Sequence, residues 1–98
     1  MKVPYQLLRA ARAAIDITHV DLAREAGVSK RTLVRIEALQ GVSEASRERV
    51  QSALEARGVM FLPAGEGFGP GIRVPDKMLT APAERRYQPP GKRIDRKP

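Results

Sequence analysis

The chain contains no cysteine. That excludes disulfides, thiolate zinc ligands and a cysteine nucleophile, and it leaves the interior to be held by packing alone. Tryptophan is also absent, and aromatic side chains make up only 4% of the residues. Such a core must be built from Leu, Ile, Val and Ala, which suits small, closely packed helices. Histidine occurs once, as His19, and no carboxylate pair stands at metal-binding spacing. A metal centre, a cofactor and acid–base catalysis therefore lack their usual residues, and no enzyme is expected. Gly65, Gly67, Gly69 and Gly71 alternate with other residues, but they follow a proline and open no helix. They read as a flexible loop rather than a phosphate cradle. No apolar run approaches the roughly 20 residues of a membrane span, and polar residues interrupt the N-terminus before a secretory apolar segment can form. The expectation is a cytoplasmic protein with no membrane partner.

What is present is positive charge. Lys and Arg number 18 against 11 Asp and Glu, a formal net charge of +7 on 98 residues. Such an excess favours a polyanionic partner through counterion release, with nucleic acid ahead of an acidic protein or an anionic surface. Keeping the protein soluble is the plainer role for the same charge. The length fits one domain with a tail.

Apolar periodicity predicts an all-α fold. Leu7, Leu8, Ala11, Ala14 and Ile15 recur at helical spacing after Pro4, with Arg9, Arg12 and Asp16 between them. Thr18 and Asp21 form a capping box before Leu22 and Ala23, predicting a short second helix that stops at Gly27. Ser29 then caps a third helix expected to run through Leu33, Ile36 and Leu39 and to stop at Gly41. Ser43 and Glu44 start a fourth, with Val50, Ala53 and Leu54 as its buried stripe before Gly58. Four helices thus fill positions 5 to 57. The short apolar run Val59–Leu62 and the extended-looking Ile72–Val74 predict a β-hairpin around a Gly-rich loop. Residues 75–98 hold five of the eight prolines and seven basic residues against three acidic ones, and read as a disordered basic tail. The expected division is 1–58, a helical domain; 59–74, a hairpin; and 75–98, the tail.

Residues 18 to 39 carry the features of a helix-turn-helix: small Ala23 inside the first helix, Gly27 at the turn, Ser29 capping the second, and Leu22, Ala26, Val28, Leu33 and Ile36 to lock the pair. On the stretches Asp21-Leu22-Ala23, Ala26-Gly27-Val28-Ser29, Thr32–Glu37 and Gly41-Val42-Ser43, the chain resembles the XRE/Cro-like, or lambda-repressor-like, family of helix-turn-helix transcriptional regulators. The resemblance covers residues 5 to 57. It implies a four-helix DNA-binding domain acting as a repressor and pairing as a homodimer on an inverted repeat. Where the family often has Gln at the start of the second helix, this chain has His19, which could still donate a hydrogen bond to a phosphate or could be an exposed residue with no role.

In that arrangement the third helix enters the major groove, where all four base pairs are distinguishable. The expected DNA-binding residues are Thr18, His19, Ser29, Lys30, Arg31, Thr32, Val34 and Arg35. Lys30 and Arg31 can donate to guanine, Val34 can meet a thymine methyl, and Ser29 or Thr32 can reach phosphate or base. Plainer roles stand beside these: helix caps for Ser29 and Thr32, solvated charge for Lys30 and Arg31, an ion pair with a nearby Glu for Arg35. Val59–Leu62 offers either a pairing edge for a second copy or packing against the protein's own helices. In the tail, Arg85-Arg86, Tyr87 and Lys92-Arg93 could track a phosphate backbone or be solvated charge. The same fold also serves antitoxins and anti-activators that bind a protein partner, so that reading stays open. No aromatic stacking platform favours RNA.

Overall fold

The computed structural model describes residues 2–80. Four helices come first: α1 (Tyr5–Ala14), α2 (His19–Ala26), α3 (Lys30–Glu37) and α4 (Glu44–Ala56). Two short strands, β1 (Met60–Leu62) and β2 (Gly71–Arg73), and a single helical turn, α5 (Lys77–Thr80), follow. The protein is mostly helical, with a small antiparallel sheet. No helix among the described residues is long and apolar enough to cross a membrane.

Each boundary has a local chemical cause. The hydroxyls of Thr18, Ser29 and Ser43 accept the backbone N–H groups of Asp21, Thr32 and Ser46 at 3.1, 3.0 and 3.2 Å. Each satisfies one donor that the first turn leaves without a carbonyl partner. The four helices also end alike. A left-handed residue, namely Asp16 (φ 61°), Gly27 (φ 75°), Leu39 (φ 56°) or Gly58 (φ 101°), turns the chain. The next residue's N–H then bonds five residues back: Ile17 to Arg12, Val28 to Ala23, Gln40 to Arg35 and Val59 to Leu54, at 2.9 to 3.3 Å. This is the Schellman arrangement, and an apolar side chain following the left-handed residue commonly anchors it. Ile17 and Val59 are buried and Val28 is half-buried, so three of the turns return the chain directly onto the core.

The turn after α3 has the same geometry but is followed by the exposed Gln40 in place of an apolar anchor, and it corrects an expectation. The helix ends at Glu37 rather than running through Leu39 to Gly41. Leu39 is the left-handed residue itself, 63% exposed rather than part of the apolar stripe. A Leu in this conformation costs about 1–2 kcal/mol. The two hydrogen bonds made by Leu39 and Gln40 to Ile36 and Arg35 offset part of that cost.

One core joins all these elements. Leu8 and Ala11 of α1, Leu22, Ala23 and Ala26 of α2, Leu33 and Ile36 of α3, and Val50, Ala53 and Leu54 of α4 are buried together. Each fully buried Leu contributes roughly 1.5–3 kcal/mol of burial free energy. The N-terminal segment is drawn in by Val3, whose carbonyl accepts from the Arg47 guanidinium at 2.9 Å.

The predicted hairpin is present, with Met60, Phe61 and Leu62 opposite Arg73, Ile72 and Gly71. Within Val59–Leu62, Val59 and Phe61 are buried in the protein's own helical core, while Met60 is exposed and the outer edge of β1 pairs with no strand among the described residues. Gly58 makes that burial possible. Besides its positive φ, a Cβ there would lie 2.6 Å from Cγ of Pro75, too close for any side chain without a shift. The first residues of the segment expected to be disordered are ordered instead. Lys77–Thr80 form the turn α5, and Met78 packs against the core. The rest of that segment, 81–98 with its two Arg/Lys pairs and Tyr87, lies outside the described residues.

Candidate nucleic-acid interface

The inner stripe of α3 is Leu33, Ile36 and Glu37, all buried. With 3.6 residues per turn, Arg31 and Arg35 then stand one turn apart on the opposite face, with Val34 and Lys30 along its flank. All four are exposed, Val34 by 43%. Ser29 accepts from the Thr32 N–H at 3.0 Å and donates to the Thr32 hydroxyl at 2.9 Å, which holds both side chains at the helix start. Of the expected site residues, Ser29, Lys30, Arg31, Thr32, Val34 and Arg35 therefore lie on or at the start of one helix, with Thr32 half-buried.

The charges on this surface are arranged against the local field. A helix N-terminus carries a partial positive charge and favours acidic residues. α2 and α4 follow that rule with Asp21 and Glu44 in their first turns, whereas α3 has no acid there and opens on Lys30 and Arg31. Four cations elsewhere are matched by carboxylates, Lys2 with Glu44, Arg12 with Glu37, Arg24 with Asp21 and Arg57 with Glu25, while Arg9, Arg47, Arg49, Arg73 and Lys77 enter no ion pair among the described residues. Lys30, Arg31 and Arg35 enter no ion pair among the described residues. The Glu expected beside Arg35 is not its partner. The result is three unmatched guanidinium and ammonium groups flanking an apolar Val34 on one exposed helical face.

Thr18 is committed to capping α2, with its side chain exposed. His19, the first residue of α2, is neither fully exposed nor idle. Its Nε2 lies 3.0 Å from Oε1 of Glu37, and its side chain is 32% exposed. The other carboxylate oxygen of Glu37 accepts from Nε of Arg12 at 2.7 Å, and the Arg12 Nη1 donates to the Ile17 carbonyl at 3.2 Å. Glu37, 6% exposed, thus ties α1, the α1–α2 turn, the start of α2 and the end of α3 to one point. Neither Glu37 nor the pairing of Arg12 was singled out in the sequence reading. The available signal was spacing: Glu37 stands at i+4 from Leu33 on the buried stripe, where an acidic residue demands a partner.

A second clamp lies on the far side of α2. Arg57, just past α4, donates from Nε to Glu25 at 2.7 Å and from Nη2 to the second Glu25 oxygen. These hydrogen bonds hold the Glu25 carboxyl below its ordinary range, against a smaller opposing effect of burial, and raise Arg57 in turn. α2 is therefore pinned at both ends, which steadies the α3 surface beside it. Among the described residues no group of three or more His, Asp or Glu side chains is gathered so as to hold a metal ion. Comparison of the chain with protein-family models and with curated proteins finds no match, so the site rests on its own geometry.

Proposed function

We propose that the protein is a sequence-specific double-stranded DNA-binding regulator of transcription, with α2 and α3 as a helix-turn-helix in a lambda-repressor-like four-helix domain. The observation that carries this reading is the set of cations on α3. Lys30 and Arg31 sit at the positive end of a helix with no acid in its first turn and no ion-pair partner among the described residues. Each placement costs about 0.3–1 kcal/mol in the free protein, and a polyanion docked on that turn removes the cost. Arg31 and Lys30 then donate to base edges, Val34 meets a thymine methyl, and Arg35, Ser29, Thr32 and Thr18 approach the phosphate backbone. One such domain buries little surface, so a homodimer reading two half-sites about one helical turn apart is part of the proposal. Val59 and Phe61 are committed to the protein's own core, so the pairing surface would use other side chains.

The test is selection of bound duplexes from a random pool. The expected product is an inverted repeat with half-sites roughly 10 base pairs apart, and Arg31→Ala should relax the preference at one position in each half-site. A pool that emerges unenriched at moderate ionic strength overturns the reading, as it would for a chain that binds only a protein partner.

A further inference from the structure

His19 is the chain's one histidine, and its ring is held from behind. An ionised carboxylate only accepts hydrogen bonds, so in the 3.0 Å contact with Glu37 it is Nε2 that carries the hydrogen and donates it. Arg12 occupies the other oxygen of Glu37 at 2.7 Å, which fixes the carboxylate and, through it, the ring. The charged groups facing His19 are thus Glu37 from α3 and, behind it, Arg12 from α1. From α4's end the charge that meets α2 is Arg57, at Glu25 towards the far end of that helix, and on α2 itself Asp21 is occupied by Arg24.

That leaves Nδ1, which has no hydrogen-bond partner among the described residues, on a side chain still 32% exposed. Its chemistry depends on the proton. With Nε2–H committed to Glu37, the neutral ring presents a bare lone pair at Nδ1, which repels an anion. The imidazolium presents an N–H donor with positive charge. Position supplies the rest. His19 lies beside the C-terminal end of α3, at Glu37, whereas Lys30 and Arg31 stand at the N-terminal end. With the first turn of α3 at the base edges, α2 is the helix that crosses the backbone, and the ring at its first residue is offered to the phosphates that border the groove.

We propose that His19 is a proton-gated phosphate contact, so that binding of DNA takes up one proton onto Nδ1, with Glu37 as the positioning residue that presents the ring. This rests on the DNA-binding reading above. The proton comes from solvent, the N–H it forms donates to a non-bridging phosphate oxygen, and the bond of Nε2 to Glu37 is kept. Affinity therefore rises as pH falls, with a limiting slope of one decade per pH unit, and the salt dependence steepens by about one phosphate contact, roughly 0.9 in log–log slope.

The experiment measures affinity for the selected duplex at fixed ionic strength from about pH 6 to about pH 8, the range in which histidine changes charge. The wild type should lose about tenfold over that range. His19→Gln, whose amide donates at any pH, should give a flat profile, and Arg31→Ala should bind more weakly with the wild-type profile. Calorimetry of the wild type in two buffers of different ionisation enthalpy should show net proton uptake on binding, at most one proton and largest at the pH where affinity falls most steeply, and needs no variant. A flat wild-type profile, a proton count of zero, or a His19→Gln protein that keeps the pH dependence overturns the proposal while leaving DNA binding intact. Failure to bind any duplex at either pH overturns the DNA-binding reading itself, and this inference with it.

Discussion

Replacing Arg12 with Met should be one of the most damaging single changes in this protein, and replacing its partner at the same time should undo most of the damage. Glu37 is 6% exposed and the Arg12 side chain 18%, so both charges have given up most of their water. Breaking a buried pair from one side costs about 3–5 kcal/mol, chiefly because the surviving charge is left without compensation. Here His19 stays on one carboxylate oxygen, while the bond from Arg12 to the Ile17 carbonyl is lost as well. The lower part of that range, about 3 kcal/mol, is the expected cost. A domain of this size has a total stability of only about 4–12 kcal/mol, and a loss of this size lowers Tm by about 12–24 °C. In Arg12→Met/Glu37→Leu no charge is stranded. Apolar replacement of such pairs is often neutral or stabilising, and the partly exposed His19 can turn to water. The double variant should therefore be more stable than Arg12→Met alone. Urea titration followed by far-UV circular dichroism reads both, since the chain has no tryptophan to report by fluorescence. A cost below about 1 kcal/mol for Arg12→Met, or a double variant at least as damaged as the single one, would refute the reasoning.

Three further outcomes are expected. Gly27→Ala meets open space at φ 75° and should cost about 1–2 kcal/mol for the left-handed backbone alone. Gly58→Ala also drives its Cβ to 2.6 Å from Pro75 and should cost about 1 kcal/mol more; equal losses on urea titration would show that Pro75 yields freely. Arg31→Glu should stabilise the free protein by about 0.3–1 kcal/mol by matching the helix dipole, while abolishing duplex binding; a lower midpoint would show that Arg31 has a structural role. Arg57→Met should cost no more than about 1 kcal/mol at neutral pH, because the pair is partly exposed and screened. The Glu25 carboxyl is lowered in the folded protein, so its contribution is present above the unfolded carboxylate range and fades as pH falls through the lowered one. Melting curves of wild type and variant should accordingly converge in acid, and a difference that grows in acid contradicts the assignment.

Features governed by neighbours along the chain were the legible ones. The hydroxyls of Thr18, Ser29 and Ser43 mark helix starts because the groups they satisfy lie three residues away. Gly27 and Gly58 mark ends because only they take a positive φ freely, and alternation of apolar and charged positions along α3 assigned Lys30, Arg31, Val34 and Arg35 to its outer face. The α3 terminus was misread for the complementary reason. Leu39 is a poor residue for a left-handed turn and Gly41 a good one, yet the hydrogen bonds of Leu39 and Gln40 to Ile36 and Arg35 made the earlier position the stop.

By itself, then, the amino-acid order determined four helices, their caps and the basic outer face of α3, since each depends on spacing within a turn or two. Only the tertiary structure decided what long separations control. Arg12 meets Glu37 across 25 residues and His19 meets it across 18, and the hairpin turns Val59 and Phe61 inward against Leu54 and its neighbours in one shared core. A buried carboxylate is stable only where partners from other helices converge on it, and convergence is a property of the folded chain that no local pattern records.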